Sequence, residues 1–359
     1  MKKVITARDV EAMLKNGGVT ELPPDAILTP SARDLLGLEG RAKLTESRRE
    51  SVGGVKTTGG ASRFDNVTAD SPKEVLEAYL NSPELLELKK AIVDIGRRMW
   101  NREYVDGNGG NISIRVKPDI ALCTPTLVSK GFMQPEDLCL VNLEGDQLAG
   151  RKRRTSEILM HLEVMKAVPR AMAVAHCHPP YATAFAVSGV KPPNKMLPEF
   201  EVFIGEVPIA AYETPGTKNM ALNVAQLAPE HNTILMANHG VVAWSHLSVE
   251  DAYFKMEILE AYCRTIMVTT QLGKTPEKFT GSQMRDLLNL KKGLEIPDPR
   301  FDLKEAELGR MDADWRPGVT CVATRCGEEL PDGHVDYSPQ AEEVVKRITD
   351  EIMKRTNQG

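Results

Sequence analysis

The 359-residue sequence lacks any apolar run long enough to cross a bilayer, and its start, MKKVITARDVEAML, turns charged too early for a secretory signal. It also lacks a surplus of positive charge. Lys and Arg total 45 against 50 Asp and Glu, and the net charge of −5 argues against nonspecific nucleic-acid binding. Its six cysteines contain no C-x-x-C pair and no dense framework, which suits reduced thiols in a cytoplasmic protein. Cys321 and Cys326 form a C-x4-C, but no second pair stands nearby to complete a zinc site. What is present is 42% hydrophobic, ordinary for a protein with a real core, in a chain longer than one typical domain.

The stretch Thr155 to His178, TSEILMHLEVMKAVPRAMAVAHCH, joins a carboxylate near a helix start to two histidines at a strand end. Pro169 ends the helix before MAVAH begins the strand. Alternate side chains of a strand share a face, so His176 and His178 point one way and Cys177 the other. A single histidine reads as a hydrogen-bonded residue; two on one face read equally well as a metal pair. Further along, TILMANHGVVAW is an apolar strand broken at Asn238-His239-Gly240. Asn and Gly suffice for a turn, and His239 adds nothing to that job. His176, His178 and His239 together would make a three-histidine set with a coordination position left for substrate, as catalytic zinc sites have. Glu157 is then the candidate base beside the metal, or else a helix-start carboxylate that favours the macrodipole.

The remaining chain divides by composition. Residues 1–36 read as a helical extension: Thr6 as N-cap, a Val10, Met13 and Leu14 stripe, a Gly17-Gly18 stop, then a second short helix capped by Thr29. Residues 37–70 are rich in Gly, Ser, Thr and charge and read as a flexible linker. A catalytic domain is expected over 71–275, starting with helices capped at Ser71-Pro72 and Ser82-Pro83, and a C-terminal extension over 276–359. The glycines of DGNGGNISIRV, with Asn108, Gly110 and Asn111, suit either an anion cradle or a hairpin turn. Glu199 and Glu201 read as solvated rather than as lining a site.

The ordered set SE, H-x-H and N-H-G, with GGNIS at 109–113 and TPT at 124–126, resembles the class II aldolase/adducin family. That resemblance runs from about Leu85 to Gly273. It implies a three-layer α/β/α fold around a central, mainly antiparallel sheet, and a homotetramer with active sites at subunit contacts. It implies Zn2+ or another divalent cation on His176, His178 and His239, and Glu157 as proton shuttle. It also implies phosphate held by Gly110, Asn111, Thr126, Thr155 and Ser156. Sugar-phosphate aldolases of the family often carry Gly where this chain has Leu127, so Ser129 and Lys130 are added as candidate phosphate donors. No tyrosine matches the family's proton donor. The expected reaction is retro-aldol cleavage of L-fuculose 1-phosphate or L-rhamnulose 1-phosphate. Pentulose-phosphate 4-epimerisation and sugar-phosphate dehydration use the same ligand set, and a metal-free adducin-like interaction module uses the same fold.

The segments ITARDVEAML and ILTPSARDLL resemble the encapsulation peptides of enzymes housed in bacterial microcompartments. Residues 1–20 are therefore expected to dock on a shell protein, the alternative being an arm that packs on a neighbouring subunit. The expected substrate is a small sugar phosphate, with no nucleic acid and no membrane as partner.

Overall fold

A computed structural model describes residues 63–272 and 277–310, together with the backbone of Val4–Ile5 (β1) and Ile27–Leu28 (β2), which pair in parallel. The helices read over residues 1–36 and the C-terminal extension beyond residue 310 lie otherwise outside the described residues.

The sheet that positions the site has eight strands in the order β6-β5-β4-β3-β7-β10-β9-β8. These are Asn111–Lys117 (β3), Ile120–Cys123 (β4), Cys139–Asn142 (β5), Gln147–Ala149 (β6), Ala173–Cys177 (β7), Ile209–Ala210 (β8), Thr233–Met236 (β9) and Gly240–Ser245 (β10). Every neighbouring pair is antiparallel except β8 with β9. The expected mainly antiparallel sheet is therefore the observed one.

Strand alternation divides the core into two layers. Ile112, Ile114, Ala173, Ala175, Cys177, Val241 and Ala243 face one side, where Pro83–Asn101 (α2) and Val249–Gln271 (α7) cover them with Ile92, Met99, Met256 and Leu259. Val174, Val242, Trp244 and Ile234 face the other, under Ile158–Ala167 (α3) and Lys218–Ala225 (α6). Cys177 is fully buried on the first side, its Sγ 3.2 Å from Met256 Sδ, opposite to the face the histidines use.

The Ser82 cap read in the sequence is observed, whereas the helix expected to be capped at Ser71 starts after Pro72 with no side-chain capping bond. Ser82 Oγ accepts from Leu85 N at 3.4 Å, and Ser248 Oγ accepts from Asp251 N at 3.1 Å. Gly189 ends Pro180–Ser188 (α4) in the left-handed conformation. Before Lys73–Leu80 (α1), Phe64 and Val67 are buried in the first layer, so the end of the stretch read as linker is part of the body.

One expectation is corrected here. Glu201 is fully buried, on Pro198–Phe203 (α5), whereas Glu199 two residues earlier is exposed. Glu201 Oε2 lies 2.8 Å from Arg300 Nη1, and its Oε1 accepts from Lys195 N. Arg300 also forks onto Asp298, Nε to Oδ1 and Nη2 to Oδ2, each at 2.8 Å. Lys291, on Gly281–Gly293 (α8), donates 2.7 Å bonds to Asp298 Oδ2 and Ile204 O. Lys195 Nζ donates to the carbonyls of Leu308 and Gly309 at the end of Glu305–Arg310 (α9). Gly205, at φ +81°, is needed at this junction, because a Cβ there would stand 2.5 Å from both Asp298 Oδ2 and Lys291 Nζ. A buried charge needs a partner, and the partner came from residues that sequence patterning had left without a role.

Candidate metal centre

Three elements bring the site together. His176 is the penultimate residue of β7, His178 follows that strand, and His239 sits in the turn between β9 and β10. Asn238 takes a left-handed φ of +54°, which Asn tolerates better than most residues, and this aims the turn. Gly240 lets it close. A Cβ there would meet His178 Cδ2 at 2.6 Å and Cys177 O at 2.7 Å.

One ring nitrogen from each of the three histidines lies within 4.8 Å of the others, and His176 Nε2 is 3.1 Å from His178 Nε2. His176 is fully buried and donates from Nδ1 to Val241 O at 2.8 Å, which leaves Nε2 as a lone pair facing the cluster. Burial, then repulsion from His178 and His239, pushes the His176 pKa well below its usual value. Burial first and His239 second also lower that of His178. These are neutral imidazoles with lone pairs converging, the state in which histidine binds metal. The hydrogen bond from His176 to a backbone carbonyl is the orienting contact that metal-binding histidines carry. An all-nitrogen set of three suits a divalent cation of borderline softness with a fourth position kept for substrate.

Glu157 stands beside this cluster. It is the N-cap residue of α3, but its side chain makes no capping bond and turns to the histidines instead. Oε2 is 3.5 Å from His176 Nε2 and Oε1 is 3.3 Å from His239 Nε2. Because His176 is neutral, its contact with Glu157 is not an ion pair. Oε1 is buried and accepts no hydrogen bond among the described residues. An orphaned carboxylate oxygen next to converging imidazole lone pairs is a costly arrangement without a cation, and a divalent ion there would relieve it.

The other sequence candidates gather around the carboxylate in part. Thr155 N donates to Thr124 O and Thr126 N to Arg153 O, so the TPT and TS segments lie side by side. Thr155 Oγ1 accepts from Glu157 N at 3.4 Å, and Ser156 is exposed. Gly110 has φ +73° and packs so closely that a Cβ would meet His176 O at 2.9 Å. Lys130 is buried and donates to Asn108 O at 3.0 Å and Val128 O at 2.7 Å, tying its loop to the glycine turn. Burial brings its pKa down to about 8 against the opposing charge of Glu157. Ser129 Oγ has no hydrogen-bond partner among the described residues. Leu127, at φ +56° and 79% exposed, keeps the left-handed backbone that a glycine would adopt there.

Sequence reasoning missed two contacts. The Asn111 side chain, expected to face phosphate, donates from Nδ2 to Glu157 Oε2 at 2.7 Å. His161, buried on α3, lies 2.5 Å from Asn111 Oδ1 through Nε2. The spacing of Glu157 and His161, four residues apart at a helix start, was the available signal, since it puts both on one face.

The fold and the site define a metal-dependent enzyme domain with an all-histidine centre and a carboxylate at its edge. The family model for the Class II Aldolase and Adducin N-terminal domain matches residues 90–267. An L-fuculose phosphate aldolase of Methanococcus maripaludis is 34% identical over 182 residues, covering 51% of this chain and 97% of that protein. A 3-oxo-tetronate 4-phosphate decarboxylase of Escherichia coli K12 is 32% identical over 206 residues, covering 56% and 94% respectively. The crystal structure of YgbL from Klebsiella pneumoniae superposes with a TM-score of 0.52 at 30% identity, covering 56% of this chain and 97% of that one. The chain belongs to the class II aldolase/adducin family.

Proposed function

We propose that the protein cleaves a ketose 1-phosphate of the L-fuculose or L-rhamnulose type to dihydroxyacetone phosphate and lactaldehyde. The observation that carries this is the convergence of His176, His178 and His239 beside a Glu157 oxygen with no other partner. The complete set also speaks against a metal-free, adducin-like module. A divalent cation held by the three histidines would supply Lewis-acid stabilisation to the ketose oxygens as negative charge develops. In the cleavage, the C4 hydroxyl loses its proton, the C3–C4 bond breaks, the C4 oxygen becomes the aldehyde carbonyl, and a proton is delivered to C3. Glu157 Oε1 is the atom that carries the proton to C3, while Asn111 holds Oε2. Lys130, Thr126, Thr155, Ser156, Ser129 and the turn through Asn108 and Gly110 bind the phosphate and so fix the reacting carbon. The active unit is a homotetramer, and residues 1–20 direct it to a microcompartment shell, which would retain the volatile aldehyde.

A second reading, decarboxylation of a phosphorylated 3-oxo acid, is favoured by the identity with the Escherichia coli decarboxylase. It needs the same charge stabilisation at a carbon next to a carbonyl. Incubating the purified protein with L-fuculose 1-phosphate, L-rhamnulose 1-phosphate and 3-oxo-tetronate 4-phosphate separates the two. Dihydroxyacetone phosphate is expected from one of the ketose phosphates, and a chelator should abolish it reversibly. Release of carbon dioxide from the oxo acid with no cleavage of either ketose phosphate would replace the aldolase reading with the decarboxylase one.

A further inference from the structure

Four side chains from two elements form one hydrogen-bonded line that ends on Glu157. Asn111 and Ser113 alternate along β3 and so share the face turned toward α3, where His161 lies one turn beyond Glu157. Ser113 Oγ is 2.8 Å from His161 Nδ1, His161 Nε2 is 2.5 Å from Asn111 Oδ1, and Asn111 Nδ2 is 2.7 Å from Glu157 Oε2. Ser113 and His161 are both fully buried, and His161 is not among the three histidines that converge on the metal centre.

We propose that His161 is a positioning residue for Glu157, acting by holding the Asn111 amide in the one orientation that presents an N–H to the carboxylate. The inference rests on Glu157 being the proton-carrying group.

Two polarities of this line can be drawn, and they differ in which atom of the Asn111 amide reaches Glu157. With the proton on Nε2, His161 donates to Asn111 Oδ1, Ser113 Oγ–H donates to Nδ1, and Asn111 Nδ2 donates to Glu157. With the proton on Nδ1, the bare Nε2 would require the amide to turn its NH2 toward the ring. Asn111 Oδ1 would then face a carboxylate oxygen, replacing a donor–acceptor contact by one between two acceptors in a buried setting. Burial pushes the His161 pKa down to about 3, so the ring stays neutral and serves as a fixed dipole rather than a proton carrier. The result at Glu157 is an asymmetric carboxylate. Oε2 is anchored by Asn111, which leaves Oε1 directed at His239.

The test compares His161→Phe, which fills the space without a donor, with His161→Gln, whose amide N–H reaches about as far as Nε2. The phenylalanine variant is expected to lose about 10–100-fold in kcat, the range typical of contacts that orient a metal-site residue, with KM and metal content little changed. The glutamine variant should recover most of the loss. Independently of any reaction, 15N NMR of the histidine rings in the metal-free and metal-loaded protein should show His161 protonated at Nε2 and bare at Nδ1. A kcat within twofold of wild type for His161→Phe would overturn the inference. So would a glutamine variant as impaired as the phenylalanine one, or an Nδ1-protonated ring. If the wild type cleaves no ketose phosphate, the reaction assignment fails and the ring tautomer still decides this inference.

Discussion

Glu157 Oε1 lies 3.3 Å from His239 Nε2 and accepts no hydrogen bond among the described residues, although the other oxygen of the same carboxylate is held by Asn111. A proton placed on Oε1 would face the His239 Nε2 lone pair, and a cation held on that nitrogen would leave the proton free for substrate. Glu157→Gln keeps the shape and removes the ability to carry that proton. It should lower kcat by about 10²–10⁴-fold, the usual range for a general acid–base group, with metal content preserved. Steady-state kinetics with metal analysis on the same sample check this, and activity within threefold of wild type would remove Glu157 from the chemistry.

Gly240→Ala tests the packing behind the metal centre. The added methyl would stand 2.6 Å from His178 Cδ2 and 2.7 Å from Cys177 O, and the backbone oxygen cannot yield as a flexible side chain would. His178 should rotate away, with metal affinity falling about 10-fold or more and a stability loss of about 1–3 kcal/mol. Titration of metal-free protein with Zn2+ reads the first effect and urea unfolding the second.

The buried ion cluster gives a prediction for acid stability. Burial alone would raise the Asp298 carboxyl, but hydrogen bonds from Arg300 and the charges of Lys291 and Arg300 outweigh it and hold its pKa well below the usual carboxylate value. A carboxyl whose folded pKa is depressed contributes stability above its unfolded pKa and loses it as pH falls toward the folded one. Asp298→Asn should therefore cost roughly 3–5 kcal/mol at neutral pH, the range for breaking a buried pair. The gap from wild type should narrow as pH falls below about 4, the unfolded carboxylate value. Denaturant midpoints at several pH values measure it, and a gap that widens on acidification would contradict the assignment.

Deleting residues 1–20 should abolish co-purification with microcompartment shells and leave kcat in solution unchanged. Shell association that survives the deletion would rule out that segment as the targeting signal.

Much of the site was legible because it is local in sequence. The alternation in His176-Cys177-His178 sets which side chains meet, and a histidine in the Asn238–Gly240 turn had no structural reason to be there. The mainly antiparallel sheet came with the family resemblance, and apolar patterning by itself marked strands without their order. What was not legible depends on distant partners. Glu199 and Glu201 look alike in the sequence, yet one is solvated and the other meets Arg300 from the far end of the chain. The family resemblance assigns Asn111 to phosphate, while the glycines around it suit an anion cradle and a hairpin turn equally. Its contact with Glu157 requires knowing that β3 and α3 pack face to face.

Cys177 lies between two of the three converging histidines in the sequence, yet its sulfur is shut into the opposite layer against Met256. The strand thus keeps a thiolate from joining the nitrogens and sealing the ion in a four-coordinate cage. Among the described residues the group that could hold a metal contains no cysteine, so an ion there would meet imidazole nitrogens and no thiolate. A divalent ion held by the three histidines alone would keep a fourth position for another ligand.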